Sequence, residues 1–326
     1  MKVLFLIQHP NMPSSRARVL DLLPYLPKEG IEFKVKTYPK SLIRRLQLLQ
    51  SAKYFDIVYL QKKMPSPFDA ILLRKVANRL VFDFDDAIMY KHDIYGGHMS
   101  RTRHYKFRNI VKKADLVVAG NMVLAKYALE HNKNVVVIPT GVPVNVPLRN
   151  HDERKEGVKI GWIGGNINLI YLKMLAPILQ KLAEHVPFKL VVISGIKPEM
   201  PGIDMEFIPW SLQGQYVNLS QLDIGIMPLP KTAHAEGKCG YKALQYMTVG
   251  IPPVCSKVGD VEKIIEHKKE GILVESLEGF LDSLLTLIRN PSLRKELGQR
   301  ARQKVIGHYS LEVIAKRLIR SLKENL

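Results

Sequence analysis

The sequence predicts an α/β protein of two domains, each a Rossmann-like, doubly wound parallel sheet. Three observations carry that prediction. Short β-rich apolar runs alternate with helical stretches, the pattern of parallel strands joined by crossover helices. The alternation stops in a polar, charged run, PLRNHDERKEG at 147–157, and then restarts. At 326 residues the chain is too long for one typical domain and comfortable for two. We therefore expect an N-terminal domain over 1–150 and a C-terminal domain over 151–326. They would face each other across a cleft, with the last helix free to pack back on the N-terminal domain.

The elements follow in order. Residues 3–8 form a buried first strand. The opening MKVLFLIQHP resembles a signal peptide only briefly, because its apolar run ends at Gln8-His9-Pro10 with no small-residue cleavage site after it. Residues 16–26 carry Val19, Leu22, Leu23 and Leu26 at helical spacing, with Ser14 or Ser15 available as N-cap. Residues 31–35 alternate as a strand does. Further β-rich runs lie at 57–60, 80–84, 116–119 and 135–138. After the polar run, 158–163 is a strand and 171–185 a helix marked by Leu172, Leu175, Ile178, Leu179 and Leu182. Strands at 189–194, 205–208 and 224–227 precede a helix at 241–249, a strand at 253–255 and a helical tail from about 277. No short-period repeat or low-complexity tract interrupts this order.

Composition narrows the class. Apolar content and mean hydropathy are those of a soluble globular protein, and no run of about 18 apolar residues exists to span a membrane. Cys239 and Cys255 are too few for a disulfide framework and lack metal-ligand spacing, so a cytoplasmic protein is expected. The net charge of +19 is uneven. Residues 1–150 hold 25 Lys and Arg against 11 Asp and Glu, and residues 151–326 hold 24 against 19. Pairs such as Arg44-Arg45, Lys62-Lys63, Arg74-Lys75 and Lys112-Lys113 build the excess in the first half. Such a surface attracts nucleic acid, anionic lipid or an anionic substrate, or is simply solvated. No nucleic-acid recognition motif or row of aromatics beside the lysines is present, so nucleic acid is not the expected partner.

The most informative segment is GKCGYKALQYMTVGIPP at 237–253. Gly237 and Gly240 form a small-residue turn, Lys238 and Lys242 bring two ammonium groups, and a helix starts just behind. Uncovered backbone amides, a helix's positive end and two cations together suit a phosphate or diphosphate. Tyr241 opens the helix. Gln245 falls about a turn later, in reach of a neutral hydroxyl beside the phosphate. Gly250 fits the left-handed residue after a helix, and Pro252-Pro253 forbid its continuation. The plain alternative is a buried helix with a glycine-rich entry.

Four other places carry polar residues at strand ends. Gly164-Gly165-Asn166 ends the 158–163 strand, where open α/β sheets bind ligands, although a tight turn would read the same. No GxGxxG and no acidic residue at dinucleotide spacing follow, which argues against a nicotinamide site. The 80–84 strand delivers Asp83, Asp85 and Asp86, which repel one another unless a ligand or a basic partner is present. A metal, sugar hydroxyls or acid–base work, and a structural cap all remain open there. Ser14-Ser15-Arg16 enters a helix after the first strand and suits an anion or a polyhydroxyl group. Asn121, Ser194 and Trp210 end strands as well, and Trp210 is either beside a nucleotide base or core. The scattered histidines are assigned no metal.

On its 237–253 segment, on Asp223-Ile224-Gly225-Ile226-Met227-Pro228-Leu229 and on Ile160-Gly161-Trp162-Ile163-Gly164-Gly165, the chain resembles the family 4 glycosyltransferases of the GT-B fold. The resemblance covers essentially the whole chain. It implies a retaining, metal-independent enzyme with no cofactor, moving a sugar from a nucleotide diphosphate sugar to an acceptor. It implies donor contacts from Gly164, Gly165, Asn166, Ser194, Trp210, Glu236, Gly240, Tyr241 and Gln245. Lys238 and Lys242 would neutralise the leaving diphosphate. Asp85 and Asp86 would stand where the family often carries a His-Asp pair, with Ser14, Ser15, Arg16 and Asn121 on the acceptor side. The family usually has two glutamates eight positions apart. Here Gly237 and Gln245 occupy those positions, with Glu236 one residue off. The acceptor is expected to be a sugar or a lipid-linked sugar, in cell-surface polysaccharide or glycolipid synthesis, on a chain peripheral to the inner face of the cell membrane. A nucleotide-sugar epimerase of the same fold, or a sugar-nucleotide-binding protein without turnover, are the alternatives.

Overall fold

The computed structural model describes residues 1–151 and 157–326. The chain forms two compact units. The first is Met1–Gly141 with Thr232–Cys239 and Leu311–Leu326, and the second is Val142–Lys231 with Gly240–Ser310.

The first unit is built on β1 (Lys2–Ile7), β2 (Glu32–Thr37), β3 (Ile57–Gln61), β4 (Arg79–Phe84), β5 (Leu116–Ala119) and β6 (Val135–Val137). All pair in parallel, in the order β2-β1-β3-β4-β5-β6. Burial on both faces explains why β1, β3, β4 and β5 read as near-continuous apolar runs, whereas the edge strand β2 is exposed and alternates. Leu4, Leu6, Val58 and Phe82 face helices Leu42–Ala52, Pro67–Val76 and Arg101–Lys113, which contribute Leu48, Leu73 and Phe107. Val3, Phe5 and Ile7 face the other way, onto Val19, Leu22 and Leu26 and onto the last helix, Leu311–Glu324. That helix turns Ile314, Ala315, Leu318, Ile319 and Leu322 inward, one apolar stripe at helical spacing.

The second unit repeats the plan with β7 (Val158–Ile163), β8 (Phe188–Ser194), β9 (Met205–Pro209), β10 (Ile224–Met227), β11 (Pro253–Ser256) and β12 (Ile272–Val274). The order is β12-β11-β10-β7-β8-β9, again all parallel. β12 has only three residues, too few for a period to show in the sequence.

Three sequence expectations shift. The helix expected over 16–26 is an α-helix, Pro13–Arg18, followed by a 3-10 turn, Leu20–Tyr25. Pro24 has no N–H to continue an α-helix. Pro13 opens the first helix behind Met12, so neither Ser14 nor Ser15 is the cap, and both are buried inside it. The helix expected over 171–185 is two, Leu169–Met174 and Ala176–His185, with Pro177 in the first turn of the second. The chain changes unit at Gly141–Val142, ahead of the 147–157 run. Arg149 in that run is buried, with Nη2 2.7 Å from Asp223 Oδ1 and its N–H donated to Val249 O at 2.9 Å. Its charge is spent on holding the segment to the second unit. Residues 152–156 of the run lie outside the described residues.

In each sheet the chain leaves its first strand to both sides, which puts the topological switch at β1/β3 and at β7/β10. The second switch is held open. β7 and β10 pair only at Ile160–Ile224 and Gly161–Gly225. Beyond that point Tyr246, from the helix Tyr241–Thr248, enters the seam. Its hydroxyl accepts the Ile163 N–H at 3.1 Å and donates to Ile226 O at 3.0 Å. A Cβ on residue 225 would lie 2.2 Å from the tyrosine ring, so only glycine leaves room for it. Burial pushes the phenol well above its ordinary range, keeping it a neutral donor. Tyr246→Phe should leave the Ile163 amide and the Ile226 carbonyl unpaired in the core, costing about 1–3 kcal/mol in urea unfolding. An unchanged midpoint would mean that the strands close the seam themselves.

Candidate active site

The carboxyl end of β7 gathers the second unit's polar features. Gly164 follows the strand directly. A side chain there would place Cβ 2.5 Å from the Trp162 indole and 2.9 Å from Lys242 Cε. The lysine stem therefore lies across residue 164. Its ammonium sits 5.7 Å from the Trp162 ring centroid, within cation–π range. Gly165 is exposed beside it. Asn166 packs against Gly195, where a Cβ would fall 2.6 Å from its Oδ1. Gly240, at φ +62°, starts the Tyr241–Thr248 helix with no side-chain cap. A Cβ there would also meet Ile264 Cδ1 at 2.4 Å. First-turn amides have no partner within a helix and lie at its positive end. A bare strand end, an ammonium group and a helix start thus meet at the switch point. That arrangement can hold an anion and neutralise charge developing on it.

Other expected donor contacts are placed differently. Gln245 is 4% exposed and donates Nε2–H to Gln215 Oε1 at 3.2 Å, so its amide is turned into the helix packing rather than toward a ribose. Ser194 is buried, with its hydroxyl 2.5 Å from Ile196 O. Trp210 packs on the apolar cluster of Ile163, Leu219 and Tyr246, the core alternative for this residue. Lys238 and Glu236 belong to the first unit, whereas Lys242 belongs to the second. The two lysines read as a pair from the sequence are thus separated at the Cys239–Gly240 peptide. Gly237 is small for packing: a Cβ would lie 2.5 Å from Ala87 Cβ and 2.9 Å from Ala87 N.

In the first unit the carboxylates at the end of β4 have the basic partners their repulsion calls for. Asp83 is fully buried and bound by the Arg18 guanidinium through Nε and Nη2, while Arg18 Nη1 donates to Ile138 O at 2.6 Å. Burial works against that guanidinium's charge, and the attraction of Asp83 outweighs it. Lys62 takes the next two: its Nζ is 2.9 Å from Asp85 Oδ1 and 2.5 Å from Asp86 Oδ2. Burial disfavours the ammonium form, but the two carboxylates hold its pKa above the ordinary lysine range. Asp86 falls well below the ordinary carboxylate range. Burial opposes that shift, and Lys62 and then Lys238, 4.0 Å away, impose it. Lys62 has φ +56°, a left-handed conformation that a lysine adopts only at a cost, and its N–H donates to Asp83 O at 2.6 Å. The sequence placed Lys62 in the surface excess. The signal that finds it is register, since Gln61 pairs with Asp83 and Lys62 therefore follows at the same strand end as Asp85 and Asp86.

Around this cluster lie residues contributed by 232–239. Asp93 accepts the Thr232 hydroxyl at 2.8 Å and meets His234 Nδ1 at 3.1 Å, with the His92 ring 4.7 Å from that of His234. Burial and then Lys238 lower the His234 pKa against the pull of Asp93. The sequence assigned His234 no role. Asn121 caps the Met122–Leu129 helix by accepting the Leu124 N–H at 2.8 Å, and its Nδ2 donates to Gly237 O and Lys238 O at 3.3 and 3.2 Å. It ties that turn down instead of offering its amide to an acceptor. Cys239 donates its thiol to Asp85 O at 3.1 Å, and burial pushes the thiol up, which keeps it unreactive. Ser14 is buried. Ser15 is buried too, with its hydroxyl on Gln61 Oε1 at 3.1 Å, and Arg16 reaches Asn11 O at 2.9 Å. Among the described residues no three His, Cys, Asp or Glu side chains are grouped to hold a metal ion.

Comparison with known proteins places this geometry. Residues 159–290 match the family described as glycosyl transferases group 1. N-acetyl-alpha-D-glucosaminyl L-malate synthase of Bacillus anthracis is 30% identical over 77 residues, which is 23% of this chain and 20% of the synthase. The structure of HepE from Anabaena in complex with UDP and glucose is similar at TM-score 0.75 and 15% identity, covering 99% of both chains. Sucrose-phosphate synthase from Thermosynechococcus elongatus is similar at TM-score 0.77 and 12% identity, covering 99% of this chain and 98% of that one. The chain has the GT-B fold, and the match to the group 1 glycosyl transferase family model falls within its second half.

Lys62→Met should destabilise the first unit by about 3–5 kcal/mol at pH 7, because it leaves two buried-edge carboxylates without their shared cation. In the variant, repulsion and burial raise the carboxylate pKa values, so the folded state binds protons more readily than the unfolded one. Part of the loss should therefore return as pH falls from 7 toward about 4.5. In the wild type Asp86 is depressed, so its contribution persists until pH falls below the ordinary carboxylate range. Urea unfolding of both proteins across that range measures the difference, and parallel profiles would rule out the shared-cation account.

Proposed function

We propose that this chain is a retaining, metal-independent glycosyltransferase that moves a hexosyl group from a nucleotide diphosphate sugar to an acceptor hydroxyl. The observation that carries the proposal is the end of β7, where Gly164 leaves room for Lys242 beside an uncapped helix start. In the reaction, negative charge grows on the departing diphosphate. The Lys242 ammonium and the first-turn amides behind Gly240 would neutralise it, so cationic and dipolar groups would do what a divalent ion does elsewhere. Gly164, Gly165 and Asn166 would line the donor. The departing phosphate would take the acceptor's proton on the same face, so no protein nucleophile is assigned. HepE, whose fold is similar, binds UDP and glucose, which supports a uridine diphosphate sugar as the first donor to try.

The first unit would take the acceptor, with Asp86 as its working carboxylate. Lys62 keeps Asp86 ionised, so it would accept hydrogen bonds from acceptor hydroxyls rather than donate protons. The acceptor would be a sugar or a lipid-linked sugar of a cell-surface polysaccharide or glycolipid. The chain would work in the cytoplasm, peripheral to the inner membrane face. Among the described residues no helix is long and apolar enough to cross a membrane.

The two lysines should separate by role. Lys242→Ala should lower kcat by about 10²–10³ and weaken nucleotide binding, with melting temperature nearly unchanged. Lys238→Ala should lower the rate while leaving nucleotide affinity intact, because its ammonium stands beside Asp86. A thermal-shift screen of UDP-, GDP- and ADP-sugars finds the donor, and titration of the variants then reads affinity apart from turnover. Equal loss of affinity in both variants would return both lysines to one phosphate site. Donor binding with neither hydrolysis nor transfer would favour a binding protein without turnover.

A further inference from the structure

Helices Leu42–Ala52, Pro67–Val76 and Arg101–Lys113 pack side by side on one face of the first sheet. Their inner stripes are core. Their outer faces combine two features that a water-facing layer seldom has together. Large apolar side chains stand in solvent: Ile43 is 69% exposed and Phe68 60%, with Leu42, Leu46 and Ile71 exposed beside them. The third helix presents Arg101, Tyr105, Arg108 and Lys112 at i, i+4, i+7 and i+11, all exposed. The three helices hold one carboxylate, Asp69, which is buried and paired with Arg45 at 3.4 Å. No exposed acidic side chain lies on any of them.

We infer that this outer face docks on an anionic lipid bilayer, with Ile43 and Phe68 entering the headgroup boundary and Arg101, Arg108 and Lys112 lying on lipid phosphates. Apolar residues mixed with cations, and no anions, are what an interfacial surface requires. A protein partner's face would tolerate acidic groups among the basic ones, and a merely solubilising face would scatter its apolar residues singly, not group five of them on two adjacent helices. Tyr105 fits the aromatic level of the interface. The inference deepens the membrane placement proposed above and is independent of the donor chemistry.

The test is co-sedimentation of the full chain with vesicles of phosphatidylcholine alone and with phosphatidylglycerol added, across a salt series. The wild type should bind the anionic vesicles and keep a salt-resistant fraction, because part of its hold is apolar. Ile43→Glu with Phe68→Glu should remove that fraction, and Arg101→Glu with Arg108→Glu should weaken low-salt binding by roughly tenfold or more. Ile306→Glu, an exposed apolar position of the second unit, should change nothing. Emission of an Ile43→Trp variant should shift to the blue on anionic vesicles. Binding to neither vesicle, binding unaffected by either double variant, or a dimer dissolved by Ile43→Glu with Phe68→Glu and no vesicle binding would each overturn the inference. Thermal shift with UDP, run without vesicles, tests the donor reading separately.

Discussion

The second unit depends on one buried hydroxyl. Two parallel strands at a switch point would ordinarily zip to their ends, and the loops beyond them would close over the sheet edge. Tyr246 prevents this by satisfying one donor on β7 and one acceptor on β10 that the strands would otherwise give to each other. The glycines at 161 and 225 make the seam thin enough for the ring and for Leu222 beside it. The same helix that delivers Tyr246 begins at Gly240, so the wedge fixes where its first turn stands. Lys242 is then on the turn that faces Gly164. A packing choice in the core thereby fixes where Lys242 stands, four residues earlier on the helix.

The first unit is organised by a different constraint. Three aspartates leave β4 within four residues, and each negative charge at a buried sheet end must be answered. Arg18 answers Asp83 from the first helix, and Lys62 answers Asp85 and Asp86 from the end of β3. The cost appears in the backbone, where Lys62 takes a left-handed conformation to bring its ammonium round. Adding Lys238 gives the cluster a third cation, from the segment that the chain returns to this unit after building most of the other. Asp86 is thus held below the ordinary carboxylate range and is the least buried of the three, the combination expected of a carboxylate that meets a ligand.

Most strands were legible because parallel sheets covered on both faces turn burial into unbroken apolar runs; the three-residue β12 was not, being too short to show a pattern. Helix ends were less so. Pro24 and Pro177 are visible in the sequence, but whether a proline ends a helix or opens the next depends on where the chain must turn. Asp85 and Asp86 announced themselves by their repulsion, yet their partner did not, since Lys62 lies 23 and 24 residues away and looks like any surface lysine. Gln245 was read at the right spacing and on the wrong side: helical periodicity says which residues share a face, not what that face meets. Lys238 and Lys242 looked like one site because they are four residues apart, and only the fold shows the chain changing unit between them.

The family's missing glutamates also acquire a physical account. The first position, Gly237, lies so close to Ala87 that no side chain fits without moving the backbone. Asn121 holds that turn down through the carbonyls of Gly237 and Lys238. At the second position the Gln245 amide donates Nε2–H to the Gln215 carbonyl oxygen, a bond that a carboxylate there could not donate. Both positions thus sit in close packing, Gly237 against Ala87 and Gln245 against Gln215. Where the resembled family carries two carboxylates, this segment carries two lysines, Lys238 in the first unit and Lys242 in the second. On the function proposed above, Lys242 would hold the donor by neutralising its charge, and the positive balance of the chain would work in the same direction.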